Sequence, residues 1–203
     1  LAPLRSETLD AVVPAAFRDP DGHWYAITER ARVIVRSTER VPAAELSTYE
    51  DLADPKWQGR LCLRSSRKVY NQSLVAMLID RHGEERTEQI VRGWVGNLAA
   101  PPFADDTLVV NAIAAGQCDV GIVNTYYYGR LARDRPDLPV AVFWPNQAEG
   151  ESGVHVNVTG AGLVRHSRQP ELARRFIEWL LSEAAQRQFA DIDYEFAVRP
   201  GVE

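Results

Sequence analysis

Four short apolar runs, mostly β-branched, punctuate the chain at Arg32 to Val35, Leu61 to Leu63, Val120 to Val123 and Val140 to Phe143, with helical patterns between them. β-branched side chains suit a pleated, half-buried surface, and strands that alternate with helices predict an α/β fold. From Tyr70 to Arg81 the apolar set Leu74, Val75, Leu78 and Ile79 recurs at three- and four-residue spacing, and Ile90, Val91, Trp94, Val95 and Leu98 repeat it between Glu84 and Leu98. Asp106 to Ala115 forms a third helical pattern, with Asp105 or Asp106 as its cap and Gly116 as its stop. Three helices between the second and third strands make those two strands parallel.

Further on, Pro170 to Phe189 reads as one helix packed on the surface, with Leu172, Phe176, Ile177, Leu180 and Leu181 on its apolar face. Val154 to Leu163 alternates like a strand leading out of one unit into another, and Ala31 to Ser37 is the other crossing candidate. Two crossings predict a hinged, two-lobed binding protein.

Among 203 residues, 23 Lys and Arg face 28 Asp and Glu, a formal charge of −5 with no basic block, so nucleic acid is not an expected partner. No apolar run approaches the roughly 20 residues that cross a bilayer, and the stretch from Leu1 to Arg5 has no signal-peptide core. Cys62 and Cys118 are the only cysteines and fit no zinc spacing; they are either a disulfide between neighbouring strands or two buried thiols. The hydrolase and nucleotide-binding motifs Gly-x-Ser-x-Gly and Gly-x-x-x-x-Gly-Lys are absent. His23, His82, His155 and His166 are scattered and read as surface or structural; Glu84-Glu85 and Asp105-Asp106 read as solvated helix starts, with Asp106 also a candidate for a supporting role at a site.

Tyr70 and the triplet Tyr126-Tyr127-Tyr128 each follow a strand pattern, so their phenols can gather at the same strand ends. Phenol oxygens suit a small, hard, highly charged cation, whereas thiolates suit softer ions. A free phenol ionises near pH 10, so metal binding must expel protons and weaken as pH falls. Adjacent Tyr126 and Tyr127 would point to opposite faces of a continuing strand. Both can face one ion only where the strand turns into a helix, a turn that the Asn124 side chain is expected to hold by bonding backbone. Ser65 and Ser66, ahead of a helix that begins near Val69, offer hydroxyls and backbone N–H groups to an anion.

Through Gly59-Arg60-Leu61-Cys62-Leu63-Arg64-Ser65-Ser66, Val69-Tyr70-Asn71-Gln72-Ser73-Leu74 and Asn124-Thr125-Tyr126-Tyr127, the chain resembles the periplasmic ferric-ion-binding proteins of ABC iron importers. Asp19 to Tyr25, Arg30 to Val33 and Tyr194 to Pro200 extend the resemblance over essentially the whole length. It implies a periplasmic-binding-protein-like type II α/β fold of two lobes joined by crossing strands, here with an incomplete N-terminal lobe. Residues 1–35 would be the remnant of that lobe and the first crossing strand, 36–153 the C-terminal lobe, and 154–203 the second crossing strand and returning helix. By the same resemblance Tyr70, Tyr126 and Tyr127 are ligands of Fe3+, with Tyr128 in a structural or supporting role. Ser65, Ser66, Asn124 and Arg30 would meet a synergistic carbonate or phosphate.

The resemblance further implies a periplasmic, non-enzymatic binder that delivers iron to an inner-membrane ABC permease. Family members carry further ligands ahead of the point where this chain starts and further helices beyond its end, so a chain truncated at both ends, with an incomplete iron shell and a tendency to self-associate, is expected. Two alternatives are capture of a small anion or organic ligand without iron and, less favoured, an α/β transferase of similar two-lobe architecture.

Overall fold

Residues 1–202 are described by a computed structural model. Strand β1, Tyr25–Ser37, is 13 residues long and extends the crossing candidate Ala31 to Ser37 back to Tyr25. Thr28 and Arg32 interrupt its apolar pattern yet are almost fully buried, because each has a polar partner inside.

The chain divides into two compact units, one formed by Leu1–Arg30 with the residues from Val156 on, the other by Ala31–His155. In the larger unit the sheet order is β2 (Leu61–Cys62), β3 (Val120–Asn124), β1, β4 (Val140–Phe143). β2 and β3 are parallel, as three intervening helices predict, while β1 runs antiparallel to β3 and β4. Successive side chains alternate across this sheet. Ile34, Val120 and Ile122 pack with Trp57, Leu74, Leu78, Ile90 and Trp94, while Val33, Val35, Cys62 and Val123 pack with Val109, Val110 and Ile113. Both faces of the sheet are thus covered, one by α2 (Val69–Gly96) and the other by α3 (Asp106–Ala114). Each large side chain buried in this way contributes about 1.5–3 kcal/mol.

Gly83, at φ 76°, breaks α2 into two halves, which match the two separate helical patterns of the sequence. Asp105 caps α3 by accepting from Leu108 N at 2.9 Å. Asp106 is not a solvated helix start: it is completely buried. Cys62 and Cys118 form a disulfide with a Cα separation of 5.9 Å, tying β2 to the approach of β3. Beside it, a Cβ on Gly121 would lie 2.6 Å from Val109 Cγ1 and 2.8 Å from Cys62 O, so only glycine allows the strand this close.

In the smaller unit, β5 (His155–Ala161) and β6 (Phe196–Ala197) pair with the first half of β1. Leu9 of α1 (Glu7–Val12) packs with Leu4, Tyr25, Ile27, Ile177, Leu181 and Val198. The predicted helix from Pro170 to Phe189 is two: α5 (Pro170–Leu180) and α6 (Glu183–Gln188), the second restarted by Ser182, which accepts from Ala185 N. The apolar face of α5 also divides. Ile177 and Leu181 enter the core, but Leu172, Phe176 and Trp179 are 60%, 56% and 53% exposed, so Leu172 and Phe176 do not pack as the periodicity suggests. Among the described residues no helix is long and apolar enough to cross a membrane.

Candidate functional site

β3 runs without a loop into α4 (Thr125–Asp134), so Tyr126 and Tyr127 fall in the first turn of a helix. Tyr70 falls in the first turn of α2, in the chain that follows β2. Because β2 and β3 are parallel neighbours, both helix starts lie at the same end of the sheet. Tyr126 donates to the Tyr70 hydroxyl at 3.3 Å, and the Tyr126 and Tyr127 ring centroids are 4.4 Å apart. Three phenols from positions 70, 126 and 127 are therefore one cluster, at two helix N-termini whose dipoles favour negative charge. The Tyr128 ring packs with the apolar cluster between β1, β3 and α3.

Burial pushes the Tyr126 phenol well above its ordinary range, and hydrogen bonding with Tyr127 and Tyr70 pushes it further. The Asn124 amide is near enough to oppose that shift, but its Nδ2 makes no hydrogen bond of good geometry. Nor does Asn124 cap α4: its Oδ1 accepts from Arg32 Nη1 at 3.2 Å, and its backbone N–H donates to Asp106 Oδ2 at 2.8 Å. The expected side-chain brace is thus absent, and Asp106 holds the turn from behind. Continuity of β3 into the helix supplies the change of direction that separates the two adjacent tyrosines from strand geometry.

Under the phenols lies a charged network that the sequence did not bring out. Arg32 donates to Asp106 at 2.5 Å and to Asn71 Oδ1 at 2.6 Å, and Asn71 Nδ2 donates to the Arg64 carbonyl at 2.7 Å. Arg64 reaches Asp106 at 3.5 Å and the Tyr127 hydroxyl at 3.4 Å, with its guanidinium 4.9 Å from the Tyr70 ring centroid. Arg130 lies 5.1 Å from the Tyr126 ring centroid on the outer side. An arginine directly after an apolar strand run was the one available signal for Arg64, and nothing in the spacing linked it to Tyr127.

Ser65 and Ser66 precede Tyr70 on the same approach. The Ser65 N–H donates to Phe103 O at 2.8 Å, so it is not free for an anion; its hydroxyl accepts from Arg67 N at 3.4 Å, and Ser66 is exposed. Arg30 belongs to the smaller unit, where it donates to Thr159 Oγ1 at 2.7 Å. In that unit Asp19, Asp21 and His23 bring potential ligand atoms within 4.8 Å of one another, a grouping missed when the histidines were read as scattered. Asp19 Oδ2 is already engaged there by the His23 ring and backbone N–H, at 2.8 and 2.9 Å.

Iron uptake protein A2 of Synechocystis sp. is 47% identical over 98% of this chain. The chain spans 60% of that relative's length. The structure of apo FutA2 from Synechocystis PCC6803 superposes with a TM-score of 0.93 at 46% identity, covering all of this chain and 66% of that one. A Trichodesmium structure described as IdiA (FutA) in complex with iron and citrate ligands gives 0.93 at 42% identity, with the same coverage. The fold is the mixed α/β fold of type II periplasmic binding proteins. Residues 1–203 match throughout the family described as bacterial extracellular solute-binding protein, and the chain belongs to that family.

Proposed function

We propose that this chain binds ferric ion through the phenolates of Tyr70, Tyr126 and Tyr127, as the substrate-binding part of an ABC-type iron importer in the periplasm. The observation that carries this reading is the convergence of three phenols on two helix N-termini, in a chain whose relatives are named for iron uptake and ferric binding. Three phenolates neutralise a trivalent cation and leave coordination positions open. A synergistic anion fills them in our reading: carbonate or phosphate held by Ser65, Ser66 and Asn124, or a carboxylate such as the citrate of the Trichodesmium structure. The buried Asn124 Nδ2, close to the Tyr126 phenol but, among the described residues, without a hydrogen bond of good geometry, is a donor suited to such a ligand. The protein's work is capture and delivery to a membrane permease, without a chemical reaction. We read 36–153 as the C-terminal, ligand-bearing lobe, 1–35 as part of the N-terminal lobe with the first crossing strand, and 154–203 as the second crossing strand and the helix returning to the N-terminal lobe. The exposed stripe on α5 supports self-association of the chain as it stands.

Titration with ferric citrate tests this directly. Tyrosinate-to-iron charge transfer gives a visible band, and Tyr127→Phe weakens binding more than about a hundredfold, beyond the 10- to 100-fold typical of outer-shell changes. Since burial favours the protonated Tyr126 phenol, protons compete with the ion and affinity falls as pH drops. A protein that stays colourless while binding phosphate would replace the ferric reading with anion capture.

A further inference from the structure

Arg64 is 93% buried by complement of its 7% exposure, and a buried guanidinium is ordinarily held by several hydrogen bonds. Among the described residues its Nε has no hydrogen-bond partner, and its one side-chain hydrogen bond goes to the Tyr127 hydroxyl, at 3.4 Å. The ion contact to Asp106 is 3.5 Å, and that Asp106 oxygen, Oδ1, also lacks a hydrogen bond. Asp106 does not depend on Arg64, because its other oxygen is held by Arg32 at 2.5 Å and by Asn124 N at 2.8 Å. As a core ion pair Arg64 is thus poorly used. Its guanidinium lies instead over two phenol rings, 4.9 Å from the Tyr70 centroid and 5.9 Å from that of Tyr127.

We propose that Arg64 is a positioning residue for the phenol cluster: tied back to Asp106, it aims the Tyr127 hydroxyl toward those of Tyr70 and Tyr126 and stays its hydrogen-bond donor once that oxygen is a ligand. The inference rests on the ferric reading for its consequence in binding, but the orientation of the rings is a property of the protein alone. Charge supports it. With three phenolates against one ferric ion, and Arg32 against Asp106, the Arg64 charge is left beside the phenol cluster to balance one negative charge on an added anion. A hydrogen bond donated to a phenolate also lowers the energy of its lone pairs, so charge transfer from it to iron requires more energy.

The test compares the wild-type protein with Arg64→Met and Arg64→Lys. On titration with ferric citrate, Arg64→Met is expected to lose about tenfold or more in affinity and to move the charge-transfer band to longer wavelength, with Arg64→Lys recovering part of both. Unchanged affinity and band in Arg64→Met would overturn the proposal. Without metal, tyrosine ring resonances assigned through Tyr70→Phe and Tyr127→Phe are expected to shift for Tyr70 and Tyr127 in Arg64→Met, while those of Tyr25 and Tyr194 stay put. Should the wild type show no band, the ferric reading fails and the ring resonances alone decide: displaced rings support positioning by Arg64, and undisplaced rings end it. If Arg64→Met does not fold, Arg64→Lys carries the same comparison, since a shorter point charge cannot reproduce the guanidinium's reach over both rings.

Discussion

The unit 31–155 closes its own interior, and the unit formed by 1–30 with 156–202 does not. The first has apolar clusters on both faces of its sheet, a disulfide across 56 residues of sequence, and an aspartate buried between two arginines. The second has one cluster, and leaves Val164, Leu172, Phe176, Trp179, Ile192 and Phe196 exposed, with Phe176 and Trp179 stacked together, whereas the exposed Val69, Ile79, Val95, Leu108 and Trp144 of the first are spread along its sequence. All three clustered phenols and the network beneath them belong to the first. The lesson is that the candidate ligand set rests on a self-sufficient unit, so perturbing the two units should have separable effects.

Asp106→Ala gives the sharpest break. Removing the carboxylate leaves Arg32 and Arg64 facing each other inside the protein and deprives Asn124 N of its acceptor. Breaking a buried ion pair typically costs about 3–5 kcal/mol, and it should appear in amide hydrogen exchange as lost protection in β1 after Ala31, β3 and α4. Equal loss in α5 and α6 would contradict the independence of the two units. Next comes the disulfide. Replacing Cys62 and Cys118 by alanine is expected to cost about 2–4 kcal/mol, read as a lower denaturant midpoint for the larger unit, while protection around Leu9, Ile177 and Leu181 is retained.

How legible this was depended on whether a feature is local. β2, β3 and β4, the parallel pairing of β2 with β3, and the break near Gly83 followed from runs and periodicity that neighbouring residues determine. The extent of β1 did not, because the polar stretch Thr28-Glu29-Arg30 ends the apolar run, and burial of Thr28 and Arg32 makes sense only once their partners at positions 195 and 106 are known. Asp106 misled for the same reason. Beside Asp105 it looks like the start of a solvated helix, and only the fold places two arginines against it. The phenols were found from residue type and a family likeness, and their proximity follows from strand order. Arg64 carried no such mark, since its partners lie 42 and 63 residues away.

The smallest expected effect falls on the open unit. Phe176 and Trp179 stack on each other at 5.9 Å, one turn apart on α5, with Leu172 completing an exposed stripe. Exposed side chains of this kind contribute little to the fold that displays them, so Phe176→Ser with Trp179→Ser should change unfolding free energy by less than about 0.5 kcal/mol per site. An apolar stripe is nonetheless costly to leave in water and is covered at higher protein concentration by another surface. Sedimentation velocity over a concentration series should therefore show association in the wild type and a monomer in the double variant, with the tyrosine ring resonances of the larger unit unchanged. A large drop in stability would instead mean that the stripe is packed, and the contrast between a closed and an open unit would fall with it.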